Sequence, residues 1–297
     1  MANENLRGTV LMVAAMALFA IEDMFIKWAA AAVPTGQIVF ISGVIGVPVF
    51  ALMARRQGQR ILTRAALHPA VLARNLGEMI GTLGYVTAIA TVPLSTVSAV
   101  LQAMPLAVTM AAALFMHEKV GWRRWSAIGV GFAGVLLVIR PGMDGFRSEV
   151  LWVLLTVAGL TLRDIASRAI PAGHTNAQVS AWGLAAVAVL GLMMMAVTGQ
   201  VIRPTVWQLG VLLGAVIFGC YGYWAITAAT RTGEVSVVAP FRYTRLIFAI
   251  LIGAFVFAEW PDGSTLAGAA LIIGSGLYSF ARERVRKRAL PIPVPAR

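Results

Sequence analysis

Cysteine is nearly missing from this chain: Cys220 is the only one in 297 residues and sits inside an apolar run, so no disulfide framework can form within it. Histidine is almost as scarce. His68, His117 and His174 lie far apart without ligand spacing, which leaves no metal site to read. Charge is thin as well, at 12% of residues against about 25% in soluble domains. Acids are the scarcer sign, 12 against 24 lysines and arginines, for a net charge of +12. No group of nucleophile, base and orienter stands out, and no phosphate loop or ATPase motif is present. An enzyme reading therefore finds no support, and no cofactor is implied.

What the chain has instead is apolar length. Hydrophobic residues make up 59% and mean hydropathy is +0.83, which marks an integral membrane protein whose standing partner is the lipid bilayer. Ten apolar runs are read: Thr9 to Ala32, Gln37 to Ala54, Leu72 to Val92, Thr96 to Met116, Trp125 to Ile139, Val150 to Ala169, Ala177 to Val197, Trp207 to Ala229, Val235 to Ala258 and Leu266 to Ala281. Several lie near the minimum of about 17 residues for a crossing. The first is not read as a cleaved signal, because Glu22, Asp23 and Lys27 break its apolar core. The basic excess sits in the connections and the tail, so topology accounts for it without nucleic acid. Arg55, Arg56, Arg60 and Arg64 share one side, while Arg140, Arg147 and Arg203 are the few on the other; both termini are therefore expected in the cytoplasm. The tail from Arg282, with Pro291, Pro293 and Pro295, reads as a disordered basic strip near anionic lipid.

The chain also repeats. A shift of 141 places Asp23 over Asp164, Lys27 over Arg168, Gln37 over Gln178 and Glu118 over Glu259; a shift of 138 places Gly84-Tyr85 over Gly222-Tyr223 and Val97-Ser98 over Val235-Ser236. These matches, in order, divide the chain into a five-helix repeat over 1–143, a second over 144–281 and a basic cytoplasmic tail over 282–297. Five is odd, so the halves insert with opposite topology. The expected fold is an all-α integral membrane protein of ten transmembrane helices built as two inverted repeats.

Taken together these residues resemble the drug/metabolite transporter superfamily. The marks are Asp23 and Lys27 late in the first span, Gly84-Tyr85 in the third, a small-residue entry to the fourth with Pro105 inside it, and Glu118 before Gly129, Gly131 and Gly134. Asp164, Arg168, Gly222, Tyr223, Pro240, Glu259, Gly274 and Gly276 repeat them. The resemblance runs from about Leu11 to Ala281, is specific to the EamA-type exporters, and points within them to the YddG-like amino acid exporters. One departure is Ser42, where many relatives carry an arginine. The resemblance implies ten helices around a central cavity and a secondary transporter exporting amino acids or related small metabolites across a bacterial inner membrane by alternating access. Another cargo class (nucleoside, sugar or drug) is the alternative, as is a lipid-handling or structural protein without a polar pathway. No cargo, coupling ion or oligomeric state is implied.

The site candidates follow from polar residues in apolar runs. Arg242 and Arg245 stand three apart in the Val235 to Ala258 run, where they share a helix face, with Arg245 about 15 Å from the start of the span. A charge there costs at least about 2.5 kcal/mol, so it is expected to face a protein interior or a wet cavity, and Arg242 or Arg245 to recognise an anionic group, most simply a substrate carboxylate. The alternative is an arginine tied to a structural carboxylate or to carbonyls. Tyr85, Tyr223 and Trp224, with Tyr221 and Met104, are expected to line an adaptable wall giving polyspecific transport. Gln102 serves cargo or a neighbouring helix. Pro105 and Pro240 each free carbonyls and kink a span. Glu22 and Arg163 align at the 141 shift with opposite charge, but their depths differ by roughly 10 Å, so each serves a different stage or pairs elsewhere. Asp23 with Lys27, and Asp164 with Arg168, are four apart and form expected same-helix pairs. The first is placed near the outside and the second near the cytoplasm, as two gates or as constant helix-end pairs. Gly77, Gly81 and Gly84, like Gly210 and Gly214, are spaced for close helix packing, and Glu118 and Glu259 for helix-end contacts.

Overall fold

The structure, a computed structural model, describes residues 2–118, 120–141, 146–232 and 234–289. The expected repeat boundary at 143/144 and the proline-bearing end of the tail lie outside the described residues. The chain forms helices α1 (Ala2–Ala30), α2 (Thr35–Arg56), α3 (Pro69–Thr91), α4 (Leu94–Leu101), α5 (Met104–Phe115), α6 (Trp122–Ile139), α7 (Leu151–Arg168), α8 (Asn176–Thr198), α9 (Val206–Thr232), α10 (Val235–Val238), α11 (Thr244–Phe257) and α12 (Gly263–Ala289). The described residues contain no strand. One expectation needs correcting: residues from Arg282 to Ala289 continue α12. That stretch consists of Arg, Glu, Val, Lys and Ala without Gly or Pro, and good helix formers extend a helix already begun.

Nine helical stretches among the described residues are long and apolar enough to cross a membrane. α3 is not one of them. Its 23 residues give ample length, roughly 35 Å at 1.5 Å per residue, but Arg74, Asn75 and Glu78 lower its apolarity. Two spans are broken midway. In the fourth, α4 stops at Leu101 and α5 restarts with Pro105 in its first turn, where a missing N–H costs nothing. In the ninth, a 3-10 segment, Ala239–Tyr243, separates α10 from α11 and starts with Pro240. Gln102 ties the breaks together, its Nε2 donating to the Tyr243 carbonyl at 3.0 Å and leaning on that of Arg242 at 3.5 Å. Gln102 and Tyr243 are equivalent under the 141 shift, so this bond joins the corresponding points of the two halves.

Helices pair across the halves rather than within them. α1 packs chiefly on α9, α2 on α8, α3 on α7, α4 on α11 and α6 on α12. Exchanging the halves maps α1–α9 onto α7–α3 and leaves the other pairs in place, which is the signature of a pseudo-two-fold relation. Small residues allow the close crossings: a Cβ at Gly77 would lie 2.5 Å from the Arg163 nitrogen, and one at Gly84 2.6 Å from the Trp152 carbonyl. A Cβ at Gly214 would lie 2.9 Å from the Phe25 ring, but one at Gly210 would enter open space, so that glycine is not needed for packing. The main core runs through both halves, from Ile26 and Ile89 to Leu212 and Ile272.

Candidate functional site

Asp23, late in α1, is 2% exposed, and burial of its charge demands a counter-charge. Arg245 of α11 supplies it: Nη2 lies 2.9 Å from Oδ1 and 2.8 Å from Oδ2, and Nε 3.3 Å from Oδ2. Tyr85 of α3 closes the triangle, accepting from Arg245 Nη2 at 2.7 Å and donating to Asp23 Oδ1. The rings of Phe19 and Tyr85 face the guanidinium at 5.5 and 6.0 Å. Three distant helices are thus pinned at one point. Glu22, beside Asp23, takes no part in this and lies against Gly219 of α9.

A second charged group joins α3 to α7. Glu78 meets Arg74 at 2.7 Å and Arg163 at 3.5 Å, while Arg163 also holds Asp164 at 2.8 Å. Arg242 is exposed on the 3-10 segment, and the charges of Asp164 and Arg163 act on it. It has no ion pair or side-chain hydrogen bond among the described residues. The break in the ninth span therefore separates the two arginines: Arg245 is committed to Asp23, and Arg242 is not. Glu22 and Arg163, aligned in sequence, are not brought together.

The expected same-helix pairs do not form. Lys27 bonds Glu259 at 2.6 Å and the Val92 carbonyl at 3.0 Å, while Arg168 bonds Glu118 at 2.8 Å. Glu259 also accepts the Leu94 N–H at 3.1 Å, holding the start of α4. An i,i+4 pair on one helix gains only about 0.2–0.5 kcal/mol, so Asp23 goes to a two-pronged fork and Lys27 to a carboxylate of the other half. The two bridges are images of each other, since the 141 shift turns Lys27–Glu259 into Arg168–Glu118. Gln37 and Gln178 show the same exchange: Gln37 bonds Ile202 through both backbone groups and Gln178 the Arg60 carbonyl.

Exposure breaks the symmetry. Side chains of Lys27 and Glu259 are 13% and 25% exposed, against 45% and 48% for Arg168 and Glu118; Asp23 is 3% and Asp164 37%. The ion pairs at the Asp23 end are withdrawn from solvent, and those at the Asp164 end are more exposed.

The remaining candidates divide. Met104 packs against the core, and Tyr223 sits edge-on to Phe50 at 5.2 Å. Tyr221 and Trp224 are both exposed, on the side of α9 that also exposes Leu213 and Ile217. A face of that composition favours lipid over a cavity wall as the neighbour of Trp224. Sequence reasoning passed over Arg74 and Glu78; the signal was an Arg and a Glu four apart where an apolar run begins. Outside the spans, Asp262 caps α12. Burial opposes its charge, but hydrogen bonds from Thr265 N–H at 2.8 Å, Arg140 and Ser264 outweigh it and hold the carboxyl at about 2.

Known proteins resemble the chain along its whole length. The sequence profile of the EamA-like transporter family matches it twice, over residues 6–140 and 147–280. Similar proteins include the S-adenosylmethionine uptake transporter of Rickettsia bellii, 24% identical over 72% of each chain. The pseudopaline exporter of Pseudomonas aeruginosa is 26% identical over 94% of this chain and 97% of its own, and the riboflavin transporter of Brucella anthropi 28% over 92% and 98%. A solved crystal structure shares the fold with a TM-score of 0.60 at 19% identity, covering 95% of this chain and 99% of the other.

Proposed function

The chain belongs to the EamA-like transporter family, and from that premise we propose that it exports amino acids or related small metabolites by alternating access. The relatives named above handle chemically unlike metabolites in either direction, so the cargo is argued from this chain's own residues. Arg242 carries the reading: an arginine exposed within the ninth span, without a side-chain partner among the described residues, must face water and offers a free fork for a carboxylate. Asp164, partly exposed and electrostatically in reach of it, is suited to the ammonium of the same zwitterion. Arg245 is withdrawn from this role by Asp23.

In this reading all ten runs cross the bacterial inner membrane, α3 included, with both termini in the cytoplasm and the cargo space between the halves. α3 is tolerated there because Arg74, Glu78 and Arg163 satisfy one another. The bridges Lys27–Glu259 and Arg168–Glu118 close opposite ends, and the described state is open towards the cytoplasm. The test is a proteoliposome flux screen of labelled amino acids, nucleosides and sugars, with Arg242→Gln as control. Amino acid flux lost in well-folded Arg242→Gln supports the reading. Flux confined to nucleosides or sugars, or amino acid flux indifferent to that change, overturns it.

A further inference from the structure

Glu22 is the acid left without a counter-charge. Asp23 occupies the Arg245 fork and Tyr85 takes the remaining contact of that Nη2, so the one cation of this group is committed. The carboxyl of Glu22 lies instead on the bare backbone of α9, where a Cβ at Gly219 would meet its Oε1 at 2.5 Å. The ionisable groups facing it are Asp23 from its own helix, Arg245 from α11, Tyr85 from α3 and Cys220 from α9. Two acids therefore share one cation in a partly buried position late in a membrane-spanning helix. Among the described residues no lysine or second arginine is placed to balance the second charge, and an uncompensated buried carboxylate is costly. One proton removes that cost.

We propose that Glu22 is a proton-binding site. The carboxylate takes up one proton when the Asp23 end is sealed, and gives it back to water when that end opens and hydrates it. The proton is the only species exchanged, so the step needs no other reactant. Coupling of this proton to cargo movement rests on the transport reading above, whereas the site itself does not.

Cys220, next to Gly219 and the only thiol of the chain, is a built-in reporter. Its alkylation by N-ethylmaleimide is measured on the purified full-length protein across pH, in the native protein and in Glu22→Gln. A charged Glu22 disfavours the neighbouring thiolate. The ratio of native to variant rates should therefore step down several-fold as pH rises through the Glu22 titration, and Glu22→Asp should keep a step. Glu22→Ala replaces Gln if the amide is not accommodated against Gly219. A ratio flat across the pH range overturns the proposal. Because this readout involves no cargo, its failure is distinct from failure of the flux screen.

Discussion

Lys27 of the first half reaches Glu259 of the second at 2.6 Å, and the equivalent residues Arg168 and Glu118 repeat the contact at 2.8 Å with the halves exchanged. Equal chemistry in unequal surroundings predicts unequal consequences. Breaking a pair withdrawn from water leaves a stranded charge, so Glu259→Gln should cost about 1–3 kcal/mol of stability. Glu118→Gln, in an exposed pair, should cost no more than about 1 kcal/mol. Thermal unfolding in one detergent compares them; equal losses would mean that the two ends are equally buried in solution.

The two arginines of the ninth span should separate in the same way. Arg245→Gln leaves Asp23 uncompensated and is expected to destabilise by about 3–5 kcal/mol, with poor recovery of folded protein. Arg242→Gln removes no described contact and should leave stability within about 0.5 kcal/mol while abolishing amino acid flux. A stable Arg245→Gln, or an unstable Arg242→Gln, would reverse the roles assigned here.

The helical membrane class and the two repeats were legible because each is written in sequence terms: runs of apolar length, and residues recurring at one offset. Pairing was not legible. Asp23 and Lys27 sit four apart on α1, and local spacing favours joining them, but Arg245 and Glu259 arrive from the other half with better geometry. The repeat itself held the correction, since it matches Lys27 to Arg168 and Glu118 to Glu259. Trp224 was ambiguous for another reason: a tryptophan suits lipid and cavity alike, and its exposed neighbours on the wheel of α9, Leu213 and Ile217, favour lipid.

Glycine spacing makes a sharper prediction than aromatic content. Gly84→Ala pushes a methyl to 2.6 Å from the Trp152 carbonyl at the α3–α7 crossing, and should cost about 1–3 kcal/mol as overpacking. Gly210→Ala enters open space on α9 and should be neutral or stabilising by up to about 1 kcal/mol. Unfolding midpoints of the two variants check the pair.

The cap at Asp262 predicts a pH dependence. Its carboxyl is held at about 2, below the usual carboxylate value near 4. The stability it contributes is therefore fully present above about pH 4 and is lost as pH falls through 2. The difference in unfolding midpoint between the native protein and Asp262→Ala should be constant from neutral pH down to that region and shrink below it. A difference that grows on acidification would mean the carboxyl is not hydrogen-bonded as described.

The last prediction concerns the second state. Asp23 and Asp164 are equivalent under the repeat, yet both arginines belong to the ninth span, whose partner span carries Leu101 and Met104 at the matching places. Simple exchange of the halves cannot therefore generate the alternate state, because Asp164 has no equivalent of Arg245. It is held by Arg163 of its own helix at 2.8 Å, while Arg242 has no ion pair among the described residues and stands on a 3-10 segment that can rewind. Closure of the Asp164 end should bring Arg242 onto Asp164 while Arg245 releases Asp23, so the span swings between two acids. Asp164→Asn removes one stop and should hold the protein in the described state, with slow amide exchange around Lys27 and fast exchange around Arg168. Asp23→Asn removes the other and should reverse that pattern. Hydrogen–deuterium exchange of the α1 and α7 ends reads both variants, and the same pattern in each would show that the two acids do not act as opposing stops.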